Sequence, residues 1–172
     1  MRIALFGGTF NPIHYGHLLI AEAAREAHHL DQVLFVPAGL PPHEKHPITS
    51  PRHRLAMLRL ALRGNPAFKI SDWEIRQERV VYTYETLEHF RGQKSKDHLY
   101  FLVGEDQLKE LPRWREAKRL PSLARFIARD RIVPYASHEI RGRVRRRQSI
   151  RYRVPESVAR YIHTHRLYLK PE

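Results

Sequence analysis

Short apolar runs alternate along this chain with stretches of helical period, and that alternation leaves few folds open. "RIALF" (Arg2–Phe6) reads as a buried strand. "HLLIAEAAREAHHL" follows with helical spacing, which puts Leu18, Ala21, Ala24 and Ala27 near one face. "QVLFVPA" (Gln32–Ala38) is the second expected strand, and a proline-rich loop, "GLPPHEKHPITS", comes after it. Ser50 followed by Pro51 predicts a helix start, with an N-cap and then proline at the first helical position. That helix, "PRHRLAMLRLAL", offers Leu55, Leu58 and Leu62. "FKISD" (Phe68–Asp72) is a third strand, and "YTYETLEHFR" a short helix capped by Thr83. "DHLYFLVGED" is a fourth strand ending in Gly104, followed by helical pieces around Leu108 and Arg115–Leu120. "ARFIAR" is a fifth, and "IVPY" either a short sixth strand or an extended lead-in. Helices over Glu139–Arg147 and Pro155–Thr164 close the chain.

Strand alternating with helix predicts a doubly wound α/β fold: a parallel sheet of about five strands with helices on both faces and right-handed crossovers. Ligands of such sheets bind beyond the carboxyl ends of the strands, where strand order reverses. The first and fourth strands both end in glycine, at Gly7-Gly8 and Gly104. Strand order 3-2-1-4-5 would open both onto one crevice. With 172 residues the chain is expected to be a single domain over 1–172, with C-terminal helices from about residue 137 packing on the sheet.

Composition removes several classes. There is no cysteine, so neither a disulfide framework nor thiol chemistry is available. "IALFGG" is too short for a signal peptide, and no run approaches membrane-spanning length, so a cytoplasmic protein is the expectation. Lys and Arg number 31 against 18 Asp and Glu, a net charge of +13, and such a field draws polyanions or phosphorylated small molecules. Much of the charge sits in "RGRVRRRQSIRYR". Read alone, that run is a solvated helix face. A nucleic-acid surface using Tyr152 and Tyr161 is the rival reading, and no recognised nucleic-acid motif supports it.

The stretch that carries chemistry is "GGTFNPIHYGHL", Gly7 to Leu18. Glycine after a buried strand lets backbone approach a ligand, and a following helix points N–H groups and partial positive charge into the crevice. His14 and His17 share the first turn, with Gly16 between them. Two imidazole donors there can stabilise charge that grows at phosphorus. The plain alternatives are a helix cap or a metal pair. No third ligand sits at a convincing spacing, so no metal site is assigned. Neither G-x-G-x-x-G nor a Walker-type G-K-[ST] is present.

The whole string resembles the signature of nucleotidyltransferases with the H-x-G-H motif. More of the chain is similar to bacterial nicotinate mononucleotide adenylyltransferases: "VPAGLPPHEKHP", "SPRHRLAMLRLAL", "ISDWEI", "YTYETL", "YFLVGEDQLKELPRW" and "SIRYRVPESVARYIHTHRLY", a match from Arg2 to Tyr168. The resemblance implies a Rossmann-like enzyme of NAD biosynthesis. It would transfer the adenylyl group of magnesium-bound ATP to nicotinate mononucleotide, giving nicotinate adenine dinucleotide and pyrophosphate. Nicotinamide mononucleotide, or another phosphate, is the alternative acceptor.

By the same resemblance, Gly7, Gly8, Thr9, Phe10, His14, His17, Gly104, Asp106, Ser137 and Arg141 would meet ATP. Thr9, Lys45, Tyr82, Thr83, Asp106 and Trp114 would meet the mononucleotide, and His14, His17, Lys45 and Arg141 would serve catalysis. Trp114 offers an aromatic face to the pyridinium ring, and the Thr83 helix offers N–H groups to the carboxylate. A helix cap at Thr83, a core role for Trp114, a first-turn Asp at 106 and a solvated lysine at 45 are the plain counterparts. Two departures stand out. "PPHEK" displaces the loop lysine by one position, which leaves Lys45 and His43 both open for the phosphates. "YASHEIR" keeps Ser137, Ile140 and Arg141 in register but puts Ala136 and His138 where the family carries hydroxyls. The segment between Trp114 and this motif is also short, which allows for reliance on a homo-oligomer contact.

Overall fold

A computed structural model describes residues 1–41, 49–93, 97–129 and 133–169, the side chain of Asp106 excepted. The expected loop residues His43 and Lys45 lie outside the described residues. The described strands form one parallel sheet: β1 (Arg2–Gly8), β2 (Gln32–Pro37), β3 (Phe68–Ile70), β4 (His98–Gly104) and β5 (Arg125–Arg129). Their order is β3-β2-β1-β4-β5, the order expected from the two glycine-ended strands.

Period two divides the central strands between two cores. Ala4 and Phe6 of β1, Val33 and Phe35 of β2, and Tyr100 and Leu102 of β4 face one cluster. Ile3 and Leu5, Leu34 and Val36, and Leu99, Phe101 and Val103 face the other. Each fully buried side chain of this kind contributes roughly 1.5–3 kcal/mol, so the sheet is the stable frame on which the loops ride. Helices α1 (Tyr15–Ala27) and α2 (Pro51–Leu62) cover the first face. So do α7 (Ser137–Arg145) and α8 (Glu156–Thr164), through Ile140, Val144, Val158 and Ile162. Helices α3 (Trp73–Arg76), α4 (Thr83–Gln93), α5 (Glu105–Glu110) and α6 (Leu120–Leu123) complete the set. Trp73 of α3, Leu87 and Phe90 of α4 and Leu120 of α6 pack on the second face.

Several boundaries and faces differ from expectation. β1 runs on through Gly7 and Gly8 rather than stopping at Phe6, because both glycines still pair with β2. In α1 the buried face is Gly16, Ile20, Ala21 and Ala24, while Ala27 is exposed and Leu18 half-buried. The i, i+4, i+8 line from Gly16 to Ala24 sets that face. In α2, Arg54 and Met57 are buried alongside Leu58 and Leu62, and Leu55 is only half-buried. Residues 133–135 form no strand, so "IVPY" is a lead-in where it is described. The arginine run behaves as the solvated face expected of it: Arg145, Arg146, Arg147 and Arg151 are exposed. Among the described residues no helix is long and apolar enough to cross a membrane.

Candidate active site

The sheet order reverses at β1, with β2 on one side and β4 on the other. β1 pairs with β4 from Arg2↔His98 to Leu5↔Phe101, so the same register continued brings Gly8 level with Gly104. The two glycine ends therefore open onto one place, as the sequence suggests. The reason for the glycines is partly packing. A Cβ on Gly7 would stand 3.3 Å from the Phe101 ring, and one on Gly8 3.1 Å from the Phe10 ring. Phe10 itself takes a left-handed backbone, φ 50°, and buries its ring edge-on against His17, with centroids 5.1 Å apart. What Phe10 can offer a ligand is thus backbone, not ring.

The histidine pair lies at the head of α1. His14 is the N-cap, in extended conformation, and its backbone N–H donates to His17 Nδ1 at 3.3 Å. That bond makes Nδ1 an acceptor, so the neutral ring carries its proton on Nε2. The two rings stack with centroids 3.7 Å apart and planes 29° apart. His14 is 5% exposed, and His17 is half-buried. His14 therefore forms the wall of the site and His17 its face. Gly16 makes the stack fit, since a Cβ there would lie 2.9 Å from His14 Cε1 and Nδ1.

The loop between β1 and α1 is held by its carbonyls. Arg54, 1% exposed, donates from Nη1 to Thr9 O at 2.8 Å, from Nη2 to Gly39 O at 3.0 Å and from Nε to Thr49 O at 3.0 Å. Arg141 Nη1 donates to Asn11 O at 2.9 Å, and Ser137 Oγ to Pro12 O at 3.0 Å. The Tyr168 hydroxyl donates to Asn11 Oδ1 at 2.9 Å. Tying carbonyls down from behind shapes the loop, and the guanidinium groups bring positive charge to it. Ser137, expected at ATP, here donates its hydroxyl to this loop. Arg141 likewise spends one nitrogen on it. At the head of α7, Ala136 has no capping side chain. Its N–H donates instead to Glu139 Oε2 at 3.0 Å, which puts a carboxylate in the first turn.

The second expected subsite gathers at the head of α4. Thr83 is the first helical residue rather than the cap. Tyr82 takes the cap position: its carbonyl accepts from Glu85 and Thr86, and its N–H donates to Glu85 Oε2 at 2.9 Å. Arg79 pairs with Glu85 at 2.7 Å and holds its carboxyl below the usual carboxylate range. The N–H groups of Thr83 and Tyr84 have no intrahelical partner, as befits a first turn. The Arg115 guanidinium lies 4.7 Å from the Tyr82 ring centre and links this turn to the neighbouring Trp114. Trp114 is half-buried, edge-on to Phe101 at 6.2 Å and to Phe126 at 6.5 Å. Its aromatic packing is real, and so is its remaining exposure. Asp106 lies in the first turn of α5, next to Gly104. Among the described residues, no group of three or more His, Cys, Asp or Glu could hold a metal ion.

Sequence reading missed Arg54. The signal was there: residue 54 shares the i, i+4, i+8 line with Leu58 and Leu62, and a cation on a core face needs buried acceptors. Asn11 and Glu74, also buried, were missed for want of any pattern that marks them.

Comparison with known proteins agrees with this geometry. The cytidylyltransferase-like family model matches residues 5–159. The "Probable nicotinate-nucleotide adenylyltransferase" of Thermomicrobium roseum is 43% identical over 195 residues, covering 97% of this chain and 91% of that protein. The protein of the same name from Oceanobacillus iheyensis is 36% identical over 184 residues, covering 97% and 96%. Among solved structures, Plasmodium falciparum nicotinic acid mononucleotide adenylyltransferase complexed with NaAD superposes with a TM-score of 0.79 at 17% identity. That match covers 97% of each chain.

Proposed function

The chain belongs to the nicotinate-nucleotide adenylyltransferase family, within the cytidylyltransferase-like proteins, and we propose that it joins ATP and nicotinate mononucleotide. The products are nicotinate adenine dinucleotide and pyrophosphate. An oxygen of the mononucleotide phosphate attacks the α-phosphorus of ATP in line. The P–O bond to the β-phosphate breaks, and its electron pair leaves with pyrophosphate. The attacking phosphate is already a nucleophile, so no covalent enzyme intermediate is required. Catalysis is then positioning and charge stabilisation.

The stacked His14–His17 pair at the head of α1, beside the glycine-ended strands, carries this reading. His17 Nε2–H donates to the α- or β-phosphate, and His14 orients it from below. Backbone groups of Gly7 to Phe10 line the phosphates, with their loop shaped by Arg54, Ser137 and Arg141. The Thr83 and Tyr84 N–H groups take the nicotinate carboxylate, and Trp114 faces the ring. Magnesium would accompany ATP and offset the charge of its phosphates, and Asp106, in the first turn of α5, would help hold it. The outgoing pyrophosphate is received by the basic loop that carries His43 and Lys45.

The test is direct. Pyrophosphate is measured with magnesium, ATP and either nicotinate or nicotinamide mononucleotide. Faster release with the nicotinate form is expected. Equal rates, or preference for the amide, would place the acceptor reading in error while leaving adenylyl transfer intact.

A further inference from the structure

Glu74 is a buried acid that the chemistry above does not use. It lies in α3 and is 9% exposed. Thr86, in the second turn of α4, donates its hydroxyl to Glu74 Oε1 at 2.6 Å and is itself buried. Burial pushes the Glu74 carboxyl up to about 7, against the pull of that hydrogen bond and with the help of Glu85. A buried carboxyl is costly, so its place needs a reason.

The backbone of the same residue meets the other half of the site. A Cβ on Gly39 would lie 2.5 Å from the Glu74 carbonyl oxygen, so the loop after β2 packs on α3 with no room for a side chain. Gly39 O is where Arg54 Nη2 donates, and Arg54 Nη1 holds Thr9 O. A contiguous line of packed groups therefore runs Thr86, Glu74, Gly39, Arg54, Thr9. It joins the head of α4 to the loop expected to hold ATP.

We propose that Glu74 is a positioning residue for the mononucleotide. It fixes the head of α4, through Thr86, at a set place relative to the loop that carries Thr9. This rests on the reading of α4 as the seat of the nicotinate carboxylate. Two backbone N–H groups can grip that carboxylate only if the helix end is held to a fraction of an ångström. Glu74 touches neither substrate and acts through Thr86. The Gly39–Arg54–Thr9 part keeps its own hydrogen bonds when the Glu74 side chain is lost. The damage therefore falls on the mononucleotide side.

The experiment is steady-state kinetics of wild type, Glu74→Ala, Glu74→Gln and Thr86→Val, each checked by thermal melting. Glu74→Ala and Thr86→Val should raise KM for nicotinate mononucleotide about tenfold while KM for ATP moves by less than about twofold. Glu74→Gln keeps an oxygen that accepts from Thr86, and should recover most of the loss. Thr86→Val keeps the shape and carries the test if Glu74→Ala does not fold. Equal rises in both KM values, no change in either, or a Gln variant as poor as Ala would overturn the proposal. A wild-type protein that releases pyrophosphate only with nicotinamide mononucleotide overturns the substrate reading instead, and shows it before any variant is made.

Discussion

Arg54 Nη1 donates to the carbonyl of Thr9 at 2.8 Å, across forty-five residues of sequence. A fully buried cation thus spends its donors on backbone carbonyls of the site loops, Gly39 and Thr49 included. Replacing it by methionine, of similar length, strands those carbonyls without donors. Each unsatisfied buried group costs roughly 1–3 kcal/mol. Arg54→Met should lower stability in urea by about 2 kcal/mol or more, and Arg54→Lys should not restore it, because an ammonium cannot span the same fork. Unchanged unfolding midpoints would contradict this.

Gly16 gives a case where stability and activity part. It is the second residue of α1, in the first turn, where alanine gains less than the roughly 1 kcal/mol it gains over glycine in a helix interior. Its Cβ would meet the His14 ring at 2.9 Å and push the imidazole stack apart. Helix gain and overpacking cost oppose each other, so Gly16→Ala should melt close to wild type, yet lose at least about tenfold in kcat. Wild-type turnover would show that the ring placement does not matter.

Glu74 sets a pH dependence of stability. Its folded pKa, about 7, lies above the ordinary 4.5, so the folded chain holds the proton longer than the unfolded one. The stabilising contribution is full below about pH 4.5, falls as pH rises, and is gone above about 7, a change of about 3 kcal/mol. Glu85, the acid facing it, stays ionised and paired with Arg79 across this range. Glu74→Gln removes the titration. The gap between wild type and Glu74→Gln in urea should therefore shrink or reverse from pH 5 to about pH 8. Parallel curves would contradict it.

Ser137 and Arg141 tie α7 to the site loop through Pro12 and Asn11. Ser137→Ala should cost about 1 kcal/mol and raise KM for ATP only a few-fold, as expected of a hydroxyl whose proton is given to Pro12 O. A larger rise in KM with unchanged stability would return the hydroxyl to direct contact with ATP.

The parts of this molecule that were legible in its sequence are those written in local spacing. Strand–helix alternation marked the parallel sheet, the glycines ending the first and fourth strands pointed to its order, and His14, Gly16 and His17 stood within one helical turn. Arg54 was not legible as a loop clamp because its partners are backbone carbonyls at residues 9, 39 and 49, which no side-chain pattern marks. Thr83 was misread as a cap because threonine favours that position. Here Tyr82 holds it instead, with Glu85 closing the turn. Glu74 was invisible because its burial depends on Gly39 and Thr86 arriving from other elements.

The account turns on His17 as the donor at phosphorus. The measurement that reaches it most directly is the single-turnover rate of pyrophosphate release by His17→Ala, with ATP and nicotinate mononucleotide saturating. The rate should fall by about a hundredfold or more while the melting temperature stays close to wild type. A folded His17→Ala protein that releases pyrophosphate at the wild-type rate would contradict it.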